Sequence, residues 1–309
     1  MKEGAEMEST VRSTMRACTV NLVAAFETER ALEEALPGLR VLGEIHPARF
    51  LLLLADEKAP AGAAQTWSVA PPGARAPYMT VVRAREVRHL ASAFNALSEP
   101  ELPMVVYWTA ELSGARFDRM LAAADRLILD SGTRPARELG RLLPLLNSGA
   151  PLGDLAWARI APWQAVAADV LDLPNLREHR ARVKSAEIHF APSADGPGAE
   201  AALLGGWLAS RLSGVRVTFA AETTGSATAS ATPGALTGLM LDAPPARFSF
   251  RAEKNLICAD VTGDDDGPTS HWGTLHPAEL GRLLAYELQL FAGRDEVYEF
   301  ALRAAAKLV

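Results

Sequence analysis

The chain has little cysteine. Its two residues in 309, Cys18 and Cys258, stand far apart and outside any CxxC pair. That spacing argues against a disulfide framework, a cysteine-based zinc site and a dithiol redox motif. Both lie among apolar neighbours, where a buried free thiol is expected. Long apolar runs are missing as well. Stretches such as FLLLLA at 50–55 fall far short of the roughly 18 residues that a membrane helix needs. The opening MKEGAEMEST is polar and acidic, with no h-region of a secretory signal, so a soluble, cytoplasmic protein is expected. Basic charge is not in excess. A net charge of −6 leaves no electrostatic footprint for nucleic acid or an anionic membrane.

The standard chemical signatures are also absent. No GxGxxG follows a strand, and there is no GxxxxGK[ST] and no GxSxG elbow. His271 and His276 are five apart, which misses the spacing that puts two ligands on one helix face. The DDDG at 264–267 lacks the downstream acid of a calcium loop, since PTSHW follows it. No catalytic residue, cofactor or metal is therefore expected.

What is present is an ordinary globular composition. Hydrophobic residues make up 49% and charged residues 22% of 309 positions, enough to bury a sizeable core without staples. Residues 1–12 are charged and read as disordered. Residues 13–175 alternate short apolar strands with helices, which predicts an α/β domain with a mostly parallel sheet. Strands are expected at 19–25, 50–55, 65–70, 80–85, 102–108 and 126–131. Helices are expected at 27–36 (ended by Pro37-Gly38), at 86–97 and at 117–124. A further helix from Pro135 carries Leu139, Leu142, Leu143 and Leu146 on one face and is kinked or divided at Pro144.

Residues 176–309 change pattern. After a charged link at 176–183, alternation at 185–190, 215–219, 236–241, 247–252 and 256–261 predicts half-exposed strands. Helices at 199–212, about 280–291 and about 295–307 complete an α+β C-terminal domain with a largely antiparallel sheet. Gly205-Gly206 falls inside a helix stripe and marks a close-packing point. A small-residue tract at 222–234 reads as a mobile loop. Glu253-Lys254-Asn255 makes a hairpin of the last two strands.

Three places could bind something. The strand ends at Trp108-Thr109 and Asp130-Ser131 lie where parallel sheets hold ligands, although Asp130 and Ser131 equally suit capping of the next helix. Arg247 and Arg251 share one side of a strand, with Arg216 on a neighbouring one, as an anion-binding or partner-binding face or a plain solvent face. Finally, DLAWARIAPW at 154–163 holds two of the six tryptophans, an acid, a base and a proline. Rigid aromatics beside charges mark either a packed junction or an interaction surface. The stretch reads as the join between domains, with Asp154 and Arg159 as a charge pair across the turn.

This last stretch carries a resemblance. DLAWARIAPWQ at 154–164 is similar to DLxWxRLxPWR, the central signature of the OpcA family, the glucose-6-phosphate dehydrogenase assembly proteins. Asp154, Leu155, Trp157, Arg159, Pro162 and Trp163 match, Ile160 is a mild change, and Gln164 replaces the usual arginine. Other segments agree in order: RACTVNLVA early on, His46-Pro47-Ala48-Arg49 for HPxR, Leu102-Pro103 to Trp108 for LPxxxWW (with Tyr107 for the first aromatic), Asp130-Ser131 for DS, and ALLGGWLASRL around Trp207 for LLAGWLASRL. The resemblance spans residues 10–300. It implies a non-catalytic factor that assembles or allosterically activates glucose-6-phosphate dehydrogenase in the oxidative pentose phosphate pathway, by protein–protein contact and without a cofactor. Trp157, Arg159 and Trp163 would form that contact or brace it. The competing expectation is a small-molecule enzyme or sensor using the strand-end cleft near Trp108 and Asp130.

Overall fold

The computed structural model describes residues 18–56, 58–59, 65–69, 79–85, 98–148, 151–222, 232–263, 268–275, 279–289 and 293–309. The expectations for residues 1–12, the helix at 86–97, most of the 222–234 tract and DDDG at 264–267 lie outside them. The chain forms two compact units: residues 1–129 with 279–291, and residues 130–278 with 292–309. The domain boundary expected at 175/176 therefore falls at 129/130, and the DLAWARIAPW stretch belongs wholly to the second unit.

The first unit runs β1 (Val20–Phe26), α1 (Glu29–Ile45), β2 (Ala48–Ala55), β3 (Gln65–Val69), β4 (Met79–Ala84), β5 (Met104–Trp108), α2 (Gly114–Ala123) and β6 (Arg126–Leu129). Within it the sheet order is β3-β4-β2-β1-β5-β6. All these pairs are parallel except β3 with β4. The continuous apolar runs follow from this: every residue of β1 is buried, as are Phe50 to Leu54 of β2, because parallel strands are covered on both faces.

Helix α1 corrects the expected stop at Pro37-Gly38, for it passes through Pro37 to Ile45. Proline costs one hydrogen bond inside a helix. Burial of Leu39, Leu42 and Gly43 beyond it offsets that loss. Gly38 also lets another helix approach. A β-carbon there would lie 2.7 Å from Leu280 Cβ. The helix containing Leu280 was expected in the second half, yet it packs on α1. Apolar spacing shows which face of a helix is buried, but not which sheet or helix covers it.

The second unit contains β7 (Leu152–Asp154), α3 (Leu155–Leu171), β8 (Ser185–Phe190), α4 (Ala199–Arg211), β9 (Arg216–Ala221), β10 (Leu236–Ala243), β11 (Ala246–Glu253), β12 (Leu256–Thr262), β13 (Thr269–Thr274) and, after the excursion of α5 (Leu280–Gln289) into the first unit, α6 (Glu296–Leu308). Its sheet order is β13-β12-β11-β10-β8-β9, with only β8 and β9 parallel. The alternation read in β8 appears as an alternating burial of its side chains. The β11–β12 hairpin closes on Lys254 and Asn255, with Lys254 at φ 57°.

Among its described residues, three 3-10 segments interrupt the unit: Ser131–Thr133, Ala136–Asn147 and Arg177–Arg182. The second is unusually long for this geometry. Leu139, Leu142 and Leu145 recur every third position and are buried together with Leu146. The burial of Leu145 in place of Leu143 corrects the face expected from helical spacing. The charged link at 176–183 is the third segment. It buries His179, whose ring lies 6.3 Å from that of Phe248.

The paired glycines of α4 are close-packing points of two kinds. Gly205 faces Phe219 and Val217 side chains on β9, 3.1 Å from where its β-carbon would be. Gly206 faces backbone, and a β-carbon there would run into Ala301 O on α6.

Candidate functional site

Helix α3 is apolar nearly all round. Leu155, Trp157, Ile160, Trp163, Val166 and Val170 are among its buried residues, as befits a helix enclosed by its neighbours. It contains Pro162 at mid-length, so the signature is one helix rather than a turn followed by one. Trp157 and Trp163 are each 4% exposed. They belong to the core of the second unit.

Asp154 starts α3. It is fully buried. Its Oδ1 accepts the Ser131 and Ala156 amides, both at 3.0 Å, and its Oδ2 accepts the Tyr298 hydroxyl at 3.0 Å. The Ala156 bond is that of an N-cap, which satisfies a helix amide with no partner within the helix, and the Ser131 bond ties the start of α3 to a segment 23 positions earlier. Burial pushes the Asp154 carboxyl up to about 6, against the opposing effect of its hydrogen bonds from Ser131.

Arg159, expected to pair with Asp154, pairs instead with Asp130. Its Nη1 and Nη2 donate to Asp130 Oδ1 and Oδ2 at 2.8 and 2.6 Å, and Nη1 also lies 3.4 Å from Glu200 Oε1 on α4. Asp130 Oδ1 further accepts the Gly132 amide at 3.0 Å, so the capping reading of Asp130 holds. Burial pulls the Arg159 pKa down, but the Asp130 contacts outweigh it and the net direction is up. Burial raises the Glu200 carboxyl, and Arg159 opposes that rise. Gly132 makes room for the fork, because a β-carbon there would sit 2.7 Å from Arg159 Nη1.

A second anchor lies at the start of α6. Trp157 Nε1 donates to Asp295 Oδ2 at 2.9 Å, and Asp295 Oδ1 accepts the Tyr298 amide at 3.0 Å as the cap of α6. The Trp157 and Tyr298 rings are 5.5 Å apart. Glu200, Asp295 and Tyr298 were not singled out from sequence. Their only signal was position: each stands at a helix start, where a polar side chain reads as a cap and its long-range partner cannot be seen. Trp207 is half-buried on α4.

The motif residues of the first unit gather elsewhere. His46 caps α1 through its amide, which donates to Leu42 O at 2.7 Å. Arg49 pairs with Glu99 at 2.9 Å with both side chains exposed. The fully buried Asn21 side chain donates to Glu99 O and Leu102 O at 2.8 and 3.0 Å and accepts the Glu99 amide at 3.0 Å. These groups tie together the amino ends of β1, β2 and β5, opposite the ligand-binding end of a parallel sheet.

Of the remaining candidates, Arg247 and Arg251 share one side of β11, beside Asp242 at 3.6 Å and Asp260 at 2.8 Å respectively. Arg216 lies three strands away, since β10 and β8 intervene. Cys258 is a buried free thiol, and burial pushes its pKa up. Cys18 forms no disulfide either and is half-buried. Among the described residues, no group of three or more His, Cys, Asp or Glu side chains is placed to hold a metal. None of their helices is long and apolar enough to cross a membrane.

The fold is one shared with oxidoreductases. The chain is similar to the 3-ketoreductase KijD10 of Actinomadura kijaniata, solved in complex with NADP and TDP-benzene, with a TM-score of 0.52, 13% identity, and coverage of 94% of this chain and 95% of that one. It is similar to a levoglucosan dehydrogenase in complex with NADH and L-sorbose, with a TM-score of 0.53, 9% identity, and coverage of 94% and 96%. At such identities the likeness concerns the fold alone. The sequence relationship is more specific. Residues 150–302 match the OpcA domain family described as the C-terminal domain of a glucose-6-phosphate dehydrogenase subunit. The OxPP cycle protein OpcA of Synechocystis sp. is 32% identical over 137 residues, or 43% of this chain and 28% of that protein. Its namesake in Nostoc punctiforme is 32% identical over 143 residues, 45% of this chain and 30% of that protein. The matched stretch thus spans less than a third of these relatives' length. Residues 150–302, which contain the α3 signature, belong to this OpcA domain family.

Proposed function

We propose that this protein is a non-catalytic assembly factor or allosteric activator of glucose-6-phosphate dehydrogenase, acting by protein–protein contact in the oxidative pentose phosphate pathway, in the cytoplasm. The observation that carries this reading is the match of residues 150–302 to a domain described as part of a dehydrogenase subunit. It is supported by OpcA relatives named for the OxPP cycle. The site chemistry agrees with it. Asp154, Arg159 and Trp157 all have their polar atoms committed to other side chains or to helix amides, as in a brace. Trp157 and Trp163 therefore act by holding the shape of the second unit's surface, and Arg159, Asp130 and Glu200 are the members of the network that reach solvent. An activator works by binding the active form of its target more tightly, and a differential of about 1–3 kcal/mol shifts the equilibrium roughly 5- to 150-fold.

The small-molecule reading is less well supported. The Trp108 indole donates to Glu111 O at 2.9 Å, and its ring meets Phe117 at 5.4 Å. In the other unit, Asp130 is held by Arg159. The deciding assay pairs the chain with the glucose-6-phosphate dehydrogenase of the same organism. Light scattering after size exclusion should detect a complex, and kinetics should show raised turnover or a lowered apparent substrate constant. Neither effect, with both proteins folded, would overturn the reading.

A further inference from the structure

The first unit has the parallel sheet on which nucleotide-dependent enzymes carry their cofactor, and structures with this fold were solved with NADP or NADH. In such sheets the pyrophosphate rests on a glycine-rich turn between the first strand and its helix, where free amides and the helix dipole attract it. Ligands lie at the carboxyl ends of the strands, where the strand order reverses. Here the order β4-β2-β1-β5-β6 places that point between β1 and β5.

The residues at this point do not fit a dinucleotide. The turn between Phe26 and α1 is Glu27-Thr28, followed by Glu29, without a glycine. Thr28 caps α1, its hydroxyl accepting the Ala31 amide at 3.1 Å, so one amide that would face a phosphate is already taken. Two arginines lie at the same end of the sheet, and both are engaged. Arg83, near the end of β4, has Nη2 at 2.9 Å from Glu29 Oε2 and Nε at 3.6 Å from Asp56 Oδ2. Arg116, in the first turn of α2, has Nη2 at 3.6 Å from Glu27 Oε1. Each guanidinium also stacks on an indole, Arg83 at 5.4 Å from the Trp67 ring centre and Arg116 at 5.3 Å from that of Trp108. Their side chains are only 22% and 19% exposed.

We propose that the strand-end crevice of the first unit is an anion site closed from within: Glu27 and Glu29 supply the negative charge that a pyrophosphate would bring, hold Arg83 and Arg116, and keep dinucleotides out. A phosphate entering this crevice would have to displace two carboxylates attached to the same chain, whose effective local concentration is on the order of millimolar. Until it did so it would meet three acids against two arginines. The indole platforms keep the guanidinium groups in place, so removing the carboxylates exposes a preformed pair of cations rather than a collapsed one.

The closure is independent of any partner protein, and its test needs none. The full chain is titrated calorimetrically with NADP+, NADPH and inorganic pyrophosphate, and no saturable binding is expected at about 1 mM. The double variant Glu27→Gln, Glu29→Gln, checked for unchanged circular dichroism, should gain pyrophosphate binding at least about tenfold tighter than the parent. Adding Arg83→Gln and Arg116→Gln should abolish that gain. Saturable binding of NADP+ or NADPH by the parent overturns the proposal. A folded double variant as silent as the parent also overturns it, because the arginines would then not form an anion site even when released. Either result leaves the dehydrogenase assay untouched.

Discussion

Arg159 grips Asp130 with both terminal nitrogens, at 2.8 and 2.6 Å, and so fixes the amino-terminal part of α3 to the turn that opens the second unit. Neither side chain is more than 21% exposed. Arg159→Ala leaves Asp130 with half its partners and should destabilise the protein by about 2–4 kcal/mol. Arg159→Lys restores the charge but not the planar fork, and should recover less than half of that loss. Urea unfolding midpoints at constant slope would measure both, and a neutral Arg159→Ala would remove the fork from any role in holding the unit.

Asp154 makes a prediction about pH. Burial raises its carboxyl from 3.8 to about 6. The folded state therefore binds this proton more tightly than the unfolded chain, and stability falls as pH rises from about 4 through 6. The rise corresponds to roughly 3 kcal/mol, present in full below pH 4 and lost above pH 6. Asp154→Asn keeps an acceptor for the helix amides and removes the titration. The difference in stability between the two proteins, followed by denaturant unfolding from pH 4 to 7, should change by about that amount. A pH-independent difference would mean that Asp154 titrates like an exposed carboxylate.

The adjacent glycines of α4 should respond differently. Gly206→Ala drives a methyl group into the α6 backbone at Ala301, which cannot yield without separating the helices. A loss of about 2–3 kcal/mol is expected. Gly205→Ala meets only the Phe219 and Val217 side chains at 3.1 Å, which can give. It should cost under about 1 kcal/mol, because alanine's better helix propensity offsets the crowding. Melting temperatures of the two single variants would show the order.

Trp163 is buried at 4% exposure, so its part in dehydrogenase binding should be indirect. Trp163→Phe, which keeps an aromatic in the core, should lower stability by about 1–2 kcal/mol and leave dehydrogenase affinity within about threefold. A folded Trp163→Phe with affinity reduced by about a hundredfold, some 2.7 kcal/mol, would place this residue at the contact itself.

The apolar runs in β1 and β2 and the clean alternation in β8 could be read directly, because burial on two faces or one leaves its period in the chain. The α3 signature could be recognised as a constellation, yet its wiring could not. Asp154 and Arg159 are five residues apart and invite pairing, but each found a partner elsewhere: Tyr298 is 144 positions from Asp154, and Asp130 is 29 positions from Arg159. Glu27, Glu29, Arg83 and Arg116 gave no warning either. Charged residues at strand ends are ordinary, and only the order β4-β2-β1-β5 gathers them in one place.

The sequence by itself determined what is local or periodic: most of the strands, though neither β7 nor β13, which half is parallel, and that the glycines of a nucleotide cradle are missing after β1. It could not place α5, whose apolar stripe fits any apolar partner, nor carry α1 past Pro37, where buried residues further along outweigh the missing hydrogen bond. Those outcomes, the Arg159 fork and the closed crevice were decided by the tertiary structure. They depend on which surfaces meet across long sequence separations, and on burial that turns ordinary surface charges into committed pairs.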